Sequence, residues 1–255
     1  MVTAGIDIGA KTVKVVVANR DRVLGRALVP AGFDAAAAVR QAFDEALAAA
    51  AVSGSDLTRI LATGTGRKSC PLTDQEVTEV TAAARGVTHL RASCRTVVDV
   101  GAEEGRAVRC DARGKVIDFA FNEKCAAGAG AFVEGMARAL QVRVEEFGPL
   151  SLTSQQAVQM NAQCAVFAES EVVTLIHSKT PREDIARAVL DAIASRIISM
   201  LRKIGFEKDV AVIGGVARNP GFVAALQRGL EMDVFVPEHP EYVGALGAAL
   251  AAQDS

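Results

Sequence analysis

Two aspartates recur in the chain within the same local pattern. Asp7 stands in Asp-Ile-Gly and Asp99 in Asp-Val-Gly, and each ends an apolar stretch that predicts a β-strand. A short loop, a second apolar stretch, a polar turn and a third apolar stretch follow both, so residues 4–29 and 96–121 share one layout. Similarity at this spacing predicts two half-molecules that fold alike. Two carboxylates facing each other across a cleft between such halves would suit a metal–phosphate ligand.

The first Asp-x-Gly turn carries donors for phosphate oxygens. Its glycine lets the backbone approach a phosphate closely, and the loop amides, a hydroxyl group and an ammonium group can donate hydrogen bonds to it. Asp7 would hold Mg²⁺ through waters, because Mg²⁺ gives up its hydration shell reluctantly. Taken alone, the turn fits a hairpin without a ligand equally well. The candidate phosphate-binding residues of this turn are Gly9, Ala10, Lys11, Thr12 and Lys14.

The second turn favours ligand binding, because a two-sided phosphate clamp needs two such turns. Gly101 and Ala102 would contact phosphate, while Glu103 and Glu104 stand where they could position Mg²⁺ or the attacking water. The predicted catalytic residues are Asp7, Asp99 and Glu104.

A third element, Gly214-Gly215, follows an apolar stretch that predicts a buried strand, and it opens a predicted helix. Without side chains at these two positions, an adenosine moiety can lie flat against the backbone, with Asn219 holding the nucleoside. Two other common kinds of nucleotide-binding site are excluded. The chain has neither the GxxxxGK(S/T) loop of a P-loop site nor the GxGxxG motif that follows a strand in a Rossmann dinucleotide-binding site.

The order of these elements resembles the actin-like ATPase superfamily, which includes sugar and acetate kinases, actin and the heat-shock chaperone ATPases. The matching residues are Asp7-x-Gly9, Asp99-x-Gly101, Gly214-Gly215 and, in the last predicted helix, Gly244–Ala248. The resemblance spans the chain and implies an α/β protein of two ribonuclease H-like domains, with ATP and Mg²⁺ in the cleft and domain closure coupled to the nucleotide state. We expect the first domain to cover 1–92, joined by the final helix at 242–255, and the second to cover 93–241.

Two of the five cysteines, Cys125 and Cys164, stand immediately before predicted helices. The positive end of a helix stabilises a thiolate, and two such helix starts would favour an anionic iron–sulfur cluster. Because a [4Fe-4S] cluster needs four thiolates, sharing it across a dimer would complete the set. A zinc site and simple burial of two small residues stay open, since no C-x₂-C pair is present. We expect Cys70, Cys94 and Cys110 to be packing residues.

The two cysteine segments resemble one branch of the superfamily, the ATP-dependent activators of 2-hydroxyacyl-CoA dehydratases and the ATPase subunits of benzoyl-CoA reductases. The matching segments are NEKCAAGAG at 122–130, NAQCAVFAESEV at 161–172, TGTGR at 63–67, EVTEVTAAARG at 76–86 and GGVARNPG at 214–221. The resemblance implies one [4Fe-4S] cluster bridging two subunits. Cys125 and Cys164 would be this chain's ligands, and Gly128 and Gly130 would be cofactor-binding positions.

This branch implies an ATP-hydrolysing subunit that passes a low-potential electron from a ferredoxin-type donor to the catalytic subunits of a CoA-ester reductase or dehydratase. The dimer partner would be an identical chain or a related ATPase subunit. Two other classes stay open. One is a small-molecule kinase of the sugar-kinase type, and the other is a nucleotide-gated interaction module without redox chemistry.

The chain departs from the branch at several positions. Many activators carry Gly-Gly-Gln-Asp where this chain has Gly101-Ala102-Glu103-Glu104, a small hydroxyl residue in place of Lys11, and tyrosine in place of Thr65. These departures leave the hydrolytic residue open, and they favour benzoyl-CoA reductase over 2-hydroxyacyl-CoA dehydratase as the partner enzyme.

The composition is that of an ordinary globular protein. Half of the 255 residues are hydrophobic and 23% are charged, which suits two domains with separate cores. The net charge of −2 predicts no nucleic-acid or membrane partner, and no apolar run reaches the roughly 20 residues that span a bilayer. Met1 leads into the first strand without a signal-peptide pattern, so we expect a cytoplasmic protein without structural disulfides.

The elements that position these motifs follow from capping signals and periodicity. Asp34 should cap a helix with Phe33 as its staple residue, and Gly86 should end another helix. Residues 145–160 lack a clean period and should cross the surface. The predicted helices cover about 34–51, 76–85, 131–140, 165–177, 180–204, 220–230 and 242–252, and two further strands cover 57–62 and 210–213.

The helix over 180–204 has the clearest signals. Thr180, Pro181 and Glu183 should form a capping box with proline at the first helical position, and Gly205 should end the helix. Strands followed by helices in both halves predict an α/β protein with helices packed on mixed sheets.

Overall fold

Four strands from the N-terminal part of the chain form one mixed sheet. The computed structural model describes residues 1–20, 22–73, 75–122, 130–160 and 165–254, with only the backbone for residues 165–167. The strands are β1 (Val2–Ile8), β2 (Thr12–Asn19), β3 (Arg22–Pro30) and β4 (Leu57–Thr63), in the spatial order β3-β2-β1-β4. β1 is antiparallel to β2 and parallel to β4, and the crossover to β4 contains helix α1 (Ala35–Ala50).

A second sheet repeats this arrangement. Its strands are β5 (Thr96–Val100), β6 (Gly105–Cys110), β7 (Val116–Phe121) and β8 (Val210–Ile213), in the spatial order β7-β6-β5-β8. β5 is antiparallel to β6 and parallel to β8, as β1 is to β2 and β4. The predicted likeness of the two halves is therefore confirmed for the sheets.

Helices cover both sheets and fill the space between them. The helices that follow α1 are α2 (Glu79–Leu90), α3 (Gly130–Ala139), α4 (Val144–Leu152), α5 (Ala165–His177), α6 (Arg182–Ile204), α7 (Pro220–Leu230) and α8 (Val243–Asp254). α8 packs on β1 and β4, and α2 packs on α8 and on the second sheet. α4 and α7 pack on α6, which lies against β6 and β7. None of the helices within the described ranges has both the length and the apolar character needed to cross a membrane. The domain boundaries at residues 92 and 241 stay predictions.

Most predicted elements are confirmed to within two residues, including the cap of α1, where Asp34 Oδ1 accepts a hydrogen bond from Ala37 N at 2.9 Å. The predicted staple is wrong, since Phe33 is fully exposed. α6 ends at Gly205 as predicted, in the left-handed conformation with φ of +65°. The capping box of α6 is also wrong. Its N-cap is Pro181, which has no N–H for the box to use, and α6 begins at Arg182.

α2 is longer than its sequence signals suggested. It begins at Glu79, where Thr78 caps it by accepting a hydrogen bond from Thr81 N, and it runs through Gly86 to Leu90. The prediction that Gly86 ends the helix was wrong because this glycine serves packing. A Cβ at this position would lie 2.4 Å from the carbonyl oxygen of Val243, so its absence lets α8 approach α2.

The segment predicted to cross the surface contains α4 instead. Its amphipathic pattern is weak because the helix has only nine residues and contains Pro149. Phe147 is nevertheless fully buried in the core around α6, and this tertiary contact stabilises a helix that its own sequence signals only poorly.

The contact between α8 and α2 also depends on Gly247. A Cβ added there would lie 1.8 Å from the carbonyl oxygen of Ala82, which is backbone and cannot turn aside. We expect Gly247→Ala to lower the free energy of unfolding by about 1–3 kcal/mol, although alanine has the higher helix propensity. Denaturant titration followed by circular dichroism would measure the change.

The matched control is Gly54→Ala. The nearest atom to a Cβ at Gly54 is the Leu47 Cδ1 at 4.0 Å, so the free energy of unfolding should stay close to wild type. A Gly247→Ala protein as stable as this control would contradict the close approach of the two helices.

Candidate nucleotide cleft

The Asp-x-Gly turns of the two sheets open onto one cleft of about 520 Å³. β1 and β5 end at this cleft, and each places its aspartate one residue before the end of the strand. Cys125, Gly128 and Cys164 lie outside the described residues. The other predicted site residues all line the cleft: Asp7, Gly9, Ala10, Lys11, Thr12, Lys14, Asp99, Gly101, Ala102, Glu103, Glu104, Gly130, Gly214, Gly215 and Asn219.

In the first turn, the antiparallel pairing of β1 and β2 sets Asp7 opposite Lys14. The ammonium group of Lys14 donates to Asp7 Oδ2 at 3.2 Å, and both side chains are more than four-fifths buried. Gly9 N donates to Thr12 O at 3.1 Å and so closes the turn. The amide of Gly9 is therefore engaged within the turn itself.

The second turn repeats these contacts with an arginine in place of the lysine. Asp99 lies opposite Arg106, whose Nη1 donates to Asp99 Oδ2 at 3.1 Å, and Gly101 N donates to Glu104 O at 2.9 Å. Arg106 was missed in the sequence, yet a signal was there. Each cation follows its aspartate by seven residues.

A glycine from the neighbouring parallel strand stands behind each aspartate. Gly64 follows β4 with φ of +90°, and a Cβ there would lie 2.5 Å from Asp7 Oδ1. Gly214 follows β8 with φ of +84°, and a Cβ there would lie 2.7 Å from Asp99 Oδ1. Both the backbone conformation and the close approach require glycine. The Thr-Gly-Thr-Gly segment is thus the counterpart of the Gly-Gly turn, which the sequence did not reveal.

The Gly-Gly turn is built differently from the prediction. A short 3₁₀ turn, Gly215–Arg218, separates β8 from α7, so the turn does not open a helix directly. Asn219 is the N-cap of α7, and its Oδ1 accepts a hydrogen bond from Phe222 N at 3.0 Å. Asn219 therefore holds the start of α7 while it lines the cleft.

An ion-pair network extends from the second turn to α2. Arg106 Nη2 donates to Glu79 Oε1 at 2.6 Å and to Glu104 Oε2 at 2.8 Å, and Arg67 Nη1 donates to Glu79 Oε2 at 3.3 Å. Burial alone would lower the pKa of Arg106, but Asp99, Glu79 and Glu104 outweigh it and raise the pKa. Burial raises the pKa of Glu79 above its usual range, although Arg106 and Arg67 act in the opposite direction.

Two buried donors at the cleft wall have no hydrogen-bond partner within the described residues. They are the hydroxyl group of Thr63 and the Nε–H of Arg106. Buried polar groups are nearly always paired, so such donors are suited to a polar ligand or an ordered water in the cleft.

The chain matches a known protein family over nearly its whole length. The model of the BadF/BadG/BcrA/BcrD ATPase family matches residues 4–252. The chain belongs to this ATPase family.

Relatives within the family carry two kinds of name. The 2-hydroxyisocaproyl-CoA dehydratase activator of Clostridioides difficile is 34% identical over 100% of this chain and 96% of its own length. The (R)-2-hydroxyglutaryl-CoA dehydratase activating ATPase of Acidaminococcus fermentans is 34% identical, over 98% of this chain and 96% of its own. A benzoyl-CoA reductase subunit of Thauera aromatica is 31% identical, over 98% and 92%. The resemblance stated from the sequence is confirmed.

Solved structures agree with this family assignment. Component A of the A. fermentans dehydratase matches with a TM-score of 0.95 at 33% identity, covering 100% of this chain and 98% of that one. The activator of the 2-hydroxyisocaproyl-CoA dehydratase from Clostridium difficile, solved with bound ADPNP, matches with a TM-score of 0.93 at 33% identity, covering 100% and 95%. A ROK family glucokinase from Streptomyces griseus, 15% identical over 100% of each chain with a TM-score of 0.61, shares the fold alone. The predicted α/β fold of the actin-like ATPases is confirmed.

The cleft of this family member suits the ATP and Mg²⁺ that an ATPase implies. Asp7 and Asp99 offer two carboxylates, which is the number Mg²⁺ commonly takes from a protein when phosphates supply its other ligands. The unpaired donors of Thr63 and Arg106 could donate hydrogen bonds to the oxygens of a triphosphate.

The described cysteines lie away from the cleft wall. Cys94 and Cys110 are buried in the core between α2 and the second sheet, and burial raises the pKa of each thiol to about 11. Neither is a reactive thiolate, as expected of packing residues. Cys70 is half-buried at the edge of the core of the first sheet.

Proposed function

We propose that the chain is an ATP-hydrolysing electron-transfer subunit. It would receive a low-potential electron from a ferredoxin-type donor and pass it to a CoA-ester enzyme, from a dimer formed with an identical chain or a related ATPase subunit. A [4Fe-4S] cluster held between the two subunits would supply the one-electron carrier. Relatives named for a dehydratase and for a reductase both support this class of partner.

The observation that carries the proposal is a direct link between both phosphate turns and α3. Gly130 N donates to Gly101 O at 2.9 Å and Ala131 N donates to Ala102 O at 2.8 Å, so the second turn holds the first residues of α3. From the first turn, Lys11 forms an ion pair with Glu134 of the same helix.

The position of α3 explains why this link would matter. Gly130, where α3 begins, comes five residues after Cys125 in the sequence, and α3 packs against α5, which begins immediately after Cys164. Any movement of the two turns on nucleotide binding or hydrolysis would reach the helices next to both proposed ligands. As the resemblance implies, we propose Cys125 and Cys164 as the cluster ligands of this chain, with Gly128 and Gly130 as cofactor-binding positions.

We assign the phosphate and Mg²⁺ contacts of the nucleotide to both Asp-x-Gly turns. The amides of Gly9 and Gly101 close their own turns, so we assign phosphate binding to the amides that follow them, at Ala10 and Ala102. Lys11, Thr12, Lys14 and Glu103 would complete the phosphate and Mg²⁺ contacts. Asp7 and Asp99 would orient hydrated Mg²⁺, and Gly214, Gly215 and Asn219 would hold the nucleoside.

The partner enzyme is proposed as benzoyl-CoA reductase, with 2-hydroxyacyl-CoA dehydratase as the other member of the same class. The departures at Gly101-Ala102-Glu103-Glu104, Lys11 and Thr65 support this order. Reductase and dehydratase can be separated by measuring ATP-dependent reduction of each purified acceptor enzyme.

Anaerobic purification tests the proposal. The dimer should contain about four irons and absorb broadly in the visible range, and it should form ADP without any added sugar. A sugar kinase of the same fold would form ADP only with its sugar and would be indifferent to iron. Iron-free protein that is fully active with its acceptor enzyme would refute the electron-transfer function.

A further inference from the structure

Glu79 is the one carboxylate of the cleft that comes from α2. It is the first residue of that helix, and the cap that Thr78 forms with Thr81 N fixes its position. It lines the same cleft as Asp7 and Asp99, and its side chain is 18% exposed. The segment that contains it resembles the family, yet neither the phosphate turns nor the proposed cluster ligands include this residue.

The two arginines orient Glu79 without saturating it. Arg106 donates to one carboxylate oxygen at 2.6 Å and Arg67 donates to the other at 3.3 Å. An ionised carboxylate offers about four lone-pair sites, so about two of them remain for a water in the cleft. The side chain is thus held in one orientation and keeps its capacity to accept a proton.

Three of the other acids that line the cleft, Asp7, Asp99 and Glu104, are less suited to take a proton. Asp7 and Asp99 are assigned to Mg²⁺, so their oxygens would be engaged with its hydration shell. Glu104 also contacts Arg106, but its side chain is 44% exposed, so water screens its charge.

We propose that Glu79 is the general base of ATP hydrolysis, which deepens the ATPase function proposed above and depends on it. The oxygen of a water attacks the γ-phosphorus while the bond from that phosphorus to the β–γ bridging oxygen breaks. The bond's electron pair leaves with ADP, and the proton of the water passes to the Glu79 carboxylate and then to solvent.

The charges around Glu79 agree with this role. Burial raises its pKa, Arg106 and Arg67 lower it, and Glu104 and Asp7 raise it again. Asp99 acts indirectly, because it shares Arg106. A base is most effective when its pKa lies near the working pH, and the added negative charge of a bound nucleotide would shift Glu79 further in that direction.

Glu79→Gln tests the assignment, with Glu76→Gln as the matched control. Glu76 lies three residues earlier, faces Arg67 Nε at 3.6 Å, and is not part of the cleft wall. We expect the kcat for ADP formation to fall about 10²-fold or more in Glu79→Gln and to change less than about two-fold in Glu76→Gln. ADP affinity should be retained in both variants.

Two further measurements separate a base from a structural residue. The fall of kcat towards acidic pH should be present in wild type and in Glu79→Asp and absent from the residual activity of Glu79→Gln. Formate should restore part of the activity of Glu79→Ala, because it can enter the space left by the carboxylate. Undiminished hydrolysis by Glu79→Gln, or loss of rate together with ADP affinity and without rescue by formate, would overturn the proposal.

Iron content and ATP hydrolysis together distinguish a failure of the general-base proposal from a failure of the electron-transfer proposal. If the Glu79→Gln protein forms iron-containing dimers and still hydrolyses ATP at the wild-type rate, the role of Glu79 as general base is rejected and the electron-transfer function is not. Iron-free wild-type protein whose hydrolysis depends on Glu79 would support the base and reject the electron-transfer function.

Discussion

Replacement of Cys125 by serine is expected to remove iron from the dimer and leave nucleotide binding intact. A serine hydroxyl does not ionise at neutral pH and is a poor substitute for a thiolate ligand. In a dimer of identical chains, one substitution removes two of the four proposed ligands. The second Asp-x-Gly turn binds the start of α3 through the backbone of Gly130 and Ala131, which the substitution leaves unchanged.

Iron content and visible absorption after anaerobic purification measure this effect, and ADP titration measures the nucleotide site. Cys164→Ser should give the same loss. Cys70→Ser is the matched control, because Cys70 is a half-buried thiol at the edge of the first sheet's core and should leave the iron content unchanged. Full iron occupancy in Cys125→Ser would reject that residue as a ligand.

Arg106→Met is expected to have the largest effect on stability. The side chain of Arg106 is 8% exposed and contacts three carboxylates, of which Asp99 and Glu79 are more than four-fifths buried. Removing one partner of a buried ion pair leaves the others uncompensated, so the free energy of unfolding should fall by about 3 kcal/mol. ATP hydrolysis should be lost too, because Arg106 orients both Asp99 and Glu79.

The decrease in the free energy of unfolding caused by Arg106→Met should depend on pH, and its direction follows from the pKa of Glu79. Arg106 lowers the pKa of Glu79, so its removal raises that pKa further above the value in the unfolded chain. A carboxylate with a raised folded-state pKa stabilises the fold when protonated, and this contribution is lost as the pH rises through that pKa. The gap between Arg106→Met and wild type should therefore be widest near neutral pH and should narrow as the pH is lowered towards the unfolded-state pKa of Glu.

Arg109→Met is the control for this prediction. Arg109 lies on the same strand, but it pairs with Glu207, whose side chain is 54% exposed, at 3.2 Å. Partly exposed ion pairs contribute little to stability, so Arg109→Met should lower the free energy of unfolding by less than about 1 kcal/mol. Equal costs in the two variants, measured by urea titration at neutral pH, would contradict the assignment of Arg106 as the centre of a buried network.

The two Asp-x-Gly turns are built alike, but they differ in the residues that their cations contact. Each has an aspartate, a cation seven residues later and a glycine with positive φ on the parallel strand. In the second turn, Arg106 additionally contacts Glu104 and, through Glu79, the start of α2. Two carboxylates beyond the paired aspartate therefore meet at this turn, and this asymmetry places the proposed base on one side of the cleft.

By itself the sequence determined both Asp-x-Gly turns, the layout that residues 4–29 and 96–121 share, and the bounds of most helices. Asp7 and Lys14, like Asp99 and Arg106, meet within a single hairpin, so short-range spacing is enough to predict the turn. The same holds for helix ends set by local groups, such as Gly205 in its left-handed conformation.

Only the tertiary structure decided that Glu79 and Arg106 belong to the cleft. Glu79 precedes Arg106 by 27 residues, and the two meet because α2 packs against the second sheet, a contact that no local pattern encodes. Gly86 was interpreted in the sequence as a helix stop, and Gly64 was noted within a segment that resembles the family. Each is needed where a backbone or carboxylate from elsewhere in the chain comes too close for a Cβ. Such close approaches depend on how whole elements pack together, so they are set by the assembled core and not by any single segment.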